Sequence, residues 1–178
     1  MTDSTDPLVV ERSINASPAA VFSFFSSEER WTAWQGSSAT IEAWPGGTFR
    51  MIMPGGEIAS GQFLEVVPNR RIVFTWGWEG DNHPIPPGSS TVEVDLLPEA
   101  AGTRLRLTHR GLARPFIDHH HQGWQQYLAR LVVVAQGGQP RNTSGPRRKR
   151  ILLPRLPATM TIRLRHEGEG HTNVLKTS

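Results

Sequence analysis

The stretch Asp118–Gln136 constrains the fold more than any other part of the chain. Its large or apolar side chains recur at i, i+3, i+4, i+7, i+8 and i+11, one face of an α-helix: Trp124, Tyr127, Leu128, Leu131, Val132 and Ala135. Asp118 is placed to cap the first turn, and Gly137-Gly138 to end the helix in the left-handed conformation. At ~1.5 Å per residue this helix would span roughly 28 Å, enough to cross a small sheet. We therefore expect a long helix lying over a sheet.

The residues before this helix supply that sheet. Leu8–Ile14 predicts a first strand, and Ser17 as N-cap with Pro18 in the first turn opens a short helix at 19–26. Glu28–Trp34 predicts a second short helix. Period-two alternation and Gly/Pro turns then predict antiparallel strands at 39–44, 48–53, 57–67, 71–78, 91–97 and 103–109. The fold class is α+β, with a curved sheet of six to seven strands and the helices on one face.

Composition separates the domain from a tail. Residues 141–178 hold nine Lys and Arg against two Glu, so the first 140 residues carry a net charge of −4 although the whole chain carries +3. The segment 139–178 is also rich in Pro and Gly. We predict a folded domain at 1–138 and a basic, disordered tail at 139–178.

Several classes of protein are excluded by what the sequence lacks. It has no Cys, so a disulfide, a thiol nucleophile and a thiolate metal site are excluded. The first residues have no apolar signal segment, and the longest apolar run, Leu131–Ala135, is far below the ~20 residues of a membrane span. A soluble, cytoplasmic protein is expected.

Five motifs in series resemble one known superfamily. They are Arg12–Pro18 followed by Val21-Phe22, the pair Trp31 and Trp34, Gly46–Arg50, Gly61–Trp76, and Gly102–His109 followed by His120–Trp124. Together they are similar to START-like (SRPBCC) proteins, and within them to the branch named after the activator of the heat-shock-protein-90 ATPase. The resemblance covers roughly residues 8–136. It implies a helix-grip fold, in which the sheet wraps the C-terminal helix around a hydrophobic cavity.

The aromatic side chains are the candidate lining of that cavity. Alternation puts Phe74, Trp76 and Trp78 on one face of a strand expected near the middle of the sheet. Next to Trp124, Gly123 would remove a side chain where the helix approaches the sheet or a ligand. The alternative is that the rings only fill the core. The predicted ligand-binding residues are Trp31, Trp34, Phe49, Met51, Phe63, Phe74, Trp76, Trp78, Leu107, His109, Trp124 and Leu128.

The histidines and the basic run carry no catalytic, metal or nucleic-acid assignment. His109 could act as a general acid or base, but a lone histidine near a strand end is more often a satisfied polar group. Three consecutive histidines at 119–121 point in directions ~100° apart on a helix, so a solvated first turn is preferred over a metal site. The run Pro146–Arg150 lacks interleaved aromatic residues, and a solvated tail is preferred over a specific nucleic-acid site.

Three functions compete. A carrier or sensor of a small hydrophobic molecule needs only the cavity and ranks first, with no cofactor and with a homodimer left open. An enzyme of the cyclase or dehydratase kind ranks second, because similar folds support such enzymes. A co-chaperone ranks third, because the eukaryotic activators carry a further domain ahead of the START-like one and strand one here begins by Leu8. Fold alone does not decide among the three.

Overall fold

The computed structural model describes residues 6–140. From residue 141 onward the predicted tail lies outside the described residues, so its separation from the domain stays a prediction. Within the described part, no helix is long and apolar enough to cross a membrane.

A single antiparallel sheet of seven strands confirms the predicted α+β architecture. The strands are β1 (Leu8–Ile14), β2 (Ser38–Ile41), β3 (Thr48–Ile52), β4 (Ile58–Val67), β5 (Arg71–Trp76), β6 (Ser90–Glu99) and β7 (Gly102–Arg110). Their order across the sheet is β1-β7-β6-β5-β4-β3-β2. The predicted aromatic strand, β5, is therefore the central one.

Two short helices follow β1, as the sequence predicts. They are α1 (Pro18–Ser26) and α2 (Glu28–Thr32). The Ser17 hydroxyl accepts a hydrogen bond from the Ala20 amide at 3.2 Å and so caps α1, with Pro18 in its first turn. α2 presents Trp31, which is fully buried, to the core.

The long helix α3 (Arg114–Ala135) begins one turn earlier than predicted. Asp118 is therefore not its cap. Ala113 occupies the N-cap position without a side-chain hydrogen bond, and a proline in the first turn starts the helix. At the other end Gly137 adopts φ 81°, the predicted left-handed stop. The predicted face is turned inward: Trp124, Leu128 and Leu131 are buried, and its other three residues are partly buried.

The central strand β5 is held on both sides by apolar pairs. Phe74 lies opposite Phe63 on β4 and Val92 on β6. The strand ends at Trp76, two residues before the predicted end, and Trp78 forms only an isolated bridge to Ala59. The chain leaves the sheet there to form the loop 77–89.

Gly61 on β4 is a point of close approach to β5. A Cβ atom on this glycine would lie 2.0 Å from the carbonyl oxygen of Thr75 on β5. Only glycine lets the two strands approach this closely.

Candidate functional site

A cavity of about 490 Å³ lies between α3, the loop 77–89 and the turn between β3 and β4. Its floor is the end of β5, where the strand stops and the loop turns away. Its lining consists of Gln35, Met53, Glu57, Trp76, Trp78, Glu79, His83, Pro84, Ile85, Phe116, His119, His120, Gln122, Gly123, Trp124, Gln126 and Tyr127. A volume of this order accommodates a small organic molecule.

Three of the predicted aromatic residues meet in the wall of this cavity. The ring of Trp76 lies 5.2 Å from that of Trp124 and 5.6 Å from that of Trp78, measured between centroids. Trp76 comes from the sheet, Trp124 from α3 and Trp78 from the start of the loop. Contacts between these rings therefore connect the three elements that enclose the cavity.

Most of the other predicted residues pack in the core and do not belong to the cavity lining. All are buried: Trp31, Trp34, Phe49, Met51, Phe63, Phe74, Leu107 and Leu128. The ring of Trp31 lies 5.3 Å from Phe49 and 5.8 Å from Phe74, so α2 covers this part of the sheet. The aromatic set is thus divided between the core and the cavity wall.

His109 on β7 contacts two cavity tryptophans without lining the cavity. It is 1% exposed. Its Nδ1 accepts a hydrogen bond from the indole Nε1 of Trp124 at 3.0 Å, and its Nε2 lies 2.9 Å from the Ser90 hydroxyl. Because an indole nitrogen can only donate, the proton of the neutral imidazole is on Nε2. Burial, with the neighbouring His120 in second place, lowers the pKa of His109 from 6.5 to about 3.

His120 corrects the prediction that the histidine run forms a solvated turn. This residue is buried, and its imidazole lies 5.5 Å from that of His109. Its Nε2 accepts from the indole Nε1 of Trp78 at 3.3 Å, while its Nδ1 donates to the carbonyl oxygen of Phe116 at 2.8 Å. Burial is the main cause that lowers the pKa of His120. His119 is exposed at the cavity rim and His121 is partly exposed.

Both buried histidines therefore act as hydrogen-bond acceptors for tryptophans of the wall. Neither has an uncommitted ring nitrogen for a metal or for proton transfer. In the described part of the chain, no group of three or more His, Asp or Glu side chains is arranged to hold a metal ion.

Gln35 is a cavity residue that the sequence did not indicate. It follows α2 and is only 3% exposed, yet its side-chain Oε1 has no hydrogen-bond partner. The indole Nε1 of Trp76 is likewise buried without a partner. No periodicity marks Gln35, because it lies in the turn between α2 and β2.

Gly123 opens the cavity on the α3 side. A Cβ atom added there would meet nothing within 4 Å, and the residue lines the cavity. The predicted close approach of the helix to the sheet at this glycine is therefore wrong, and its alternative, an approach to a ligand, stays a prediction.

The cavity carries negative charge at its rim. Among the described residues that line it, none is Lys or Arg. Glu79 is paired with Arg50 by two hydrogen bonds of 2.9 and 3.0 Å, whereas no ion pair within residues 6–140 engages Glu57. An apolar molecule without a negative charge fits this lining best.

Comparison with known proteins agrees with this architecture. The model of the family described as Activator of Hsp90 ATPase homolog 1-like protein matches residues 15–136. The chain is 29% identical over 124 residues to activator of 90 kDa heat shock protein ATPase homolog 1 of Homo sapiens, covering 69% of this chain. The match spans only 35% of that human protein.

Two solved structures give the same result for the fold. An AHSA1-like protein of Rhizobium etli is 37% identical with a TM-score of 0.60, over 94% of this chain and 98% of that one. The Aha1 dimer from Colwellia psychrerythraea is 18% identical with a TM-score of 0.66, over 76% of this chain and 100% of that one. The second likeness shows the fold alone. The START-like resemblance seen in the sequence motifs is confirmed.

Proposed function

We propose that this chain, which belongs to the family of Activator of Hsp90 ATPase homolog 1-like proteins, binds a small hydrophobic molecule between α3 and the sheet. The observation that carries this proposal is the meeting of Trp76, Trp78 and Trp124 around a cavity of about 490 Å³. Indole rings from three separate elements provide a large apolar surface of defined shape. A carrier or sensor needs nothing more.

The hydrogen bonding of the two buried histidines favours binding over catalysis. His109 and His120 each use one ring nitrogen to accept from a tryptophan, and the other faces Ser90 or the Phe116 carbonyl. A general acid or base must instead reach the substrate with a free nitrogen. These histidines support the position of the tryptophans.

Binding is tested with N-phenyl-1-naphthylamine, a neutral dye whose fluorescence rises in apolar surroundings. We expect a dissociation constant in the micromolar range, about −8 kcal/mol, with quenching of tryptophan fluorescence. Native mass spectrometry of the purified protein would detect a ligand retained from the cell. Absence of both dye binding and a retained ligand would refute the proposal.

Two substitutions at one position locate the binding. Gly123→Leu places a large side chain in the cavity and is expected to weaken dye binding at least tenfold, about 1.4 kcal/mol. Gly123→Ala adds a single methyl group in open space and serves as the matched control. Equal dye binding by both variants would place the dye elsewhere.

An enzyme of the cyclase or dehydratase kind stays the second candidate. It would use the same cavity, whose lining has two exposed histidines, His83 and His119, available for proton transfer. Turnover of an added aromatic substrate, abolished by His119→Gln with dye binding intact, would favour it.

Stimulation of a heat-shock-protein-90 ATPase ranks third. The name of the human relative states that activity for the whole protein, of which this chain spans 35%. A steady-state assay of a heat-shock-protein-90 ATPase with this chain added tests it directly.

The Colwellia relative is described as a dimer. Light scattering of the purified chain should decide between monomer and homodimer.

A further inference from the structure

We propose that Gln35 and Trp76, two buried residues of the cavity lining, supply a polar anchor, and that the ligand is an aromatic molecule whose hydroxyl group binds to it. The inference rests on the proposed function and adds to it the class of ligand and the residues that select it. It starts from two polar atoms that the folded protein leaves unpaired.

The first atom is the side-chain oxygen of Gln35. The residue is 3% exposed, lines the cavity and has no partner for its Oε1. Buried polar side-chain atoms are hydrogen-bonded in the large majority of cases, since leaving one unpaired costs free energy. An acceptor of this kind in a cavity wall indicates that a hydrogen-bond donor arrives with the ligand.

The second atom is the indole nitrogen of Trp76. This residue is 2% exposed, lines the same cavity, and has an Nε1 without a partner. Trp78 and Trp124, the other two tryptophans of the wall, both donate to histidines. Of these three tryptophans only Trp76 keeps its donor unused, so Gln35 supplies a buried unpaired acceptor and Trp76 a buried unpaired donor.

The backbone holds Gln35 in place. Its amide nitrogen donates to the carbonyl oxygen of Trp31 at 3.0 Å. The next residue, Gly36, has φ 79°, and a Cβ atom on it would lie 2.7 Å from the Met51 side chain. A side chain on so constrained a turn can select among ligands, because little freedom is lost when it binds.

A hydroxyl group matches this pair because it both donates and accepts. The apolar part of the ligand then lies against Trp124 and Trp78, where ring edges and faces favour an aromatic body. Among the described residues of the lining, the absence of Lys and Arg gives no partner for a carboxylate or phosphate. A neutral aromatic alcohol satisfies these three conditions.

The test compares 2-naphthol with 2-methylnaphthalene, which has nearly the same shape but no hydroxyl. Isothermal titration calorimetry gives the hydroxyl preference, defined as the dissociation constant of 2-methylnaphthalene divided by that of 2-naphthol. In Gln35→Met, which keeps the length of the side chain, we expect this preference to fall about fivefold or more. Because the ratio is compared between proteins, the different hydrophobicity of the two ligands cancels.

Two further variants complete the experiment. Trp76→Phe keeps an aromatic ring and removes the unpaired donor, so the hydroxyl preference should fall here too. Gln125→Met changes an exposed glutamine of α3 that lies outside the cavity lining, and it should leave the preference unchanged. If Gln35→Met does not fold, as judged by circular dichroism, Trp76→Phe decides the question alone.

The outcomes separate this inference from the proposed function. An unchanged preference in Gln35→Met and Trp76→Phe, with both ligands still bound, overturns the anchor and leaves ligand binding in the cavity standing. A fall of the same size in Gln125→Met also overturns it. Failure of wild-type protein to bind either compound or the naphthylamine dye overturns the proposed function and the anchor together.

Discussion

The indole of Trp124 holds the imidazole of His109 in one tautomer. The Nε1–H of Trp124 donates to Nδ1 of His109 at 3.0 Å, and the proton on the other ring nitrogen points to the Ser90 hydroxyl at 2.9 Å. The Ser90 hydroxyl in turn donates to the Trp76 carbonyl oxygen at 2.9 Å. A helix residue of the cavity wall is thereby connected to the sheet through a fully satisfied chain of hydrogen bonds.

The lowered pKa of His109 in this hydrogen-bond network predicts that the stability of the protein depends on pH. The native pKa of His109 is lowered from 6.5 to about 3 by burial and then by His120, so the unfolded chain binds the proton first as the pH falls. The free energy of unfolding should be greatest above pH 6.5 and decline toward pH 3. The loss from this residue is about 2 kcal/mol at pH 5. Urea titrations at pH 7.5 and pH 5 measure the difference.

Two variants assign that difference to His109. His109→Gln can still donate and accept but does not titrate, so it should show a clearly smaller loss between the two pH values. His119→Gln, at an exposed histidine, should lose as much as wild type. Equal losses in wild type and His109→Gln would show that this histidine does not control the acid sensitivity.

Leu131 should contribute strongly to the packing of α3. Its side chain is inaccessible to solvent, so Leu131→Ala should lower the free energy of unfolding by about 2–5 kcal/mol. Val133, two residues on, is 37% exposed, and Val133→Ala should cost less than about 1 kcal/mol. Urea unfolding followed by circular dichroism gives both values. Similar losses for the two would mean that α3 does not cover the sheet through this face.

Replacing two glycines by alanine should have opposite effects. In Gly61→Ala the new methyl group meets the Thr75 carbonyl oxygen, which should cost about 1–3 kcal/mol. In Gly123→Ala it enters open space on a helix, where alanine is favoured over glycine by up to about 1 kcal/mol. Thermal unfolding of the two variants should therefore shift in opposite directions. A stable Gly61→Ala variant would contradict the close approach of β4 and β5.

Truncation after Gln139 tests the predicted domain boundary. If the domain ends at 138, removal of the tail should leave the thermal midpoint within a few degrees of the full-length value, because no core residue is lost. Differential scanning calorimetry of the two proteins makes the comparison. A fall of more than about 8 °C, roughly 2 kcal/mol for a domain of this size, would mean that part of the tail packs on the domain.

Local patterns determined the elements of this fold. The spacing from Trp124 to Ala135 predicts the buried face of α3, and Ser17 with Pro18 predicts the start of α1. These signals are readable because helix period, strand alternation and capping involve residues a few positions apart. The predicted start of α3 was wrong. Asp118 has the right side chain for an N-cap, but Pro115 favours a first turn that begins earlier, at Arg114.

Tertiary structure alone decided which aromatic residues form the cavity. Phe74 and Trp76 lie on the same face of β5, so the alternation of the sequence predicts the same environment for both. Phe74 is covered by Trp31 of α2, while Trp76 lies beyond that helix and faces Trp124. Alternation gives the face of a strand but not the position along it where a covering helix ends. That position depends on contacts between residues far apart in sequence, as does the burial of the unpaired side-chain oxygen of Gln35.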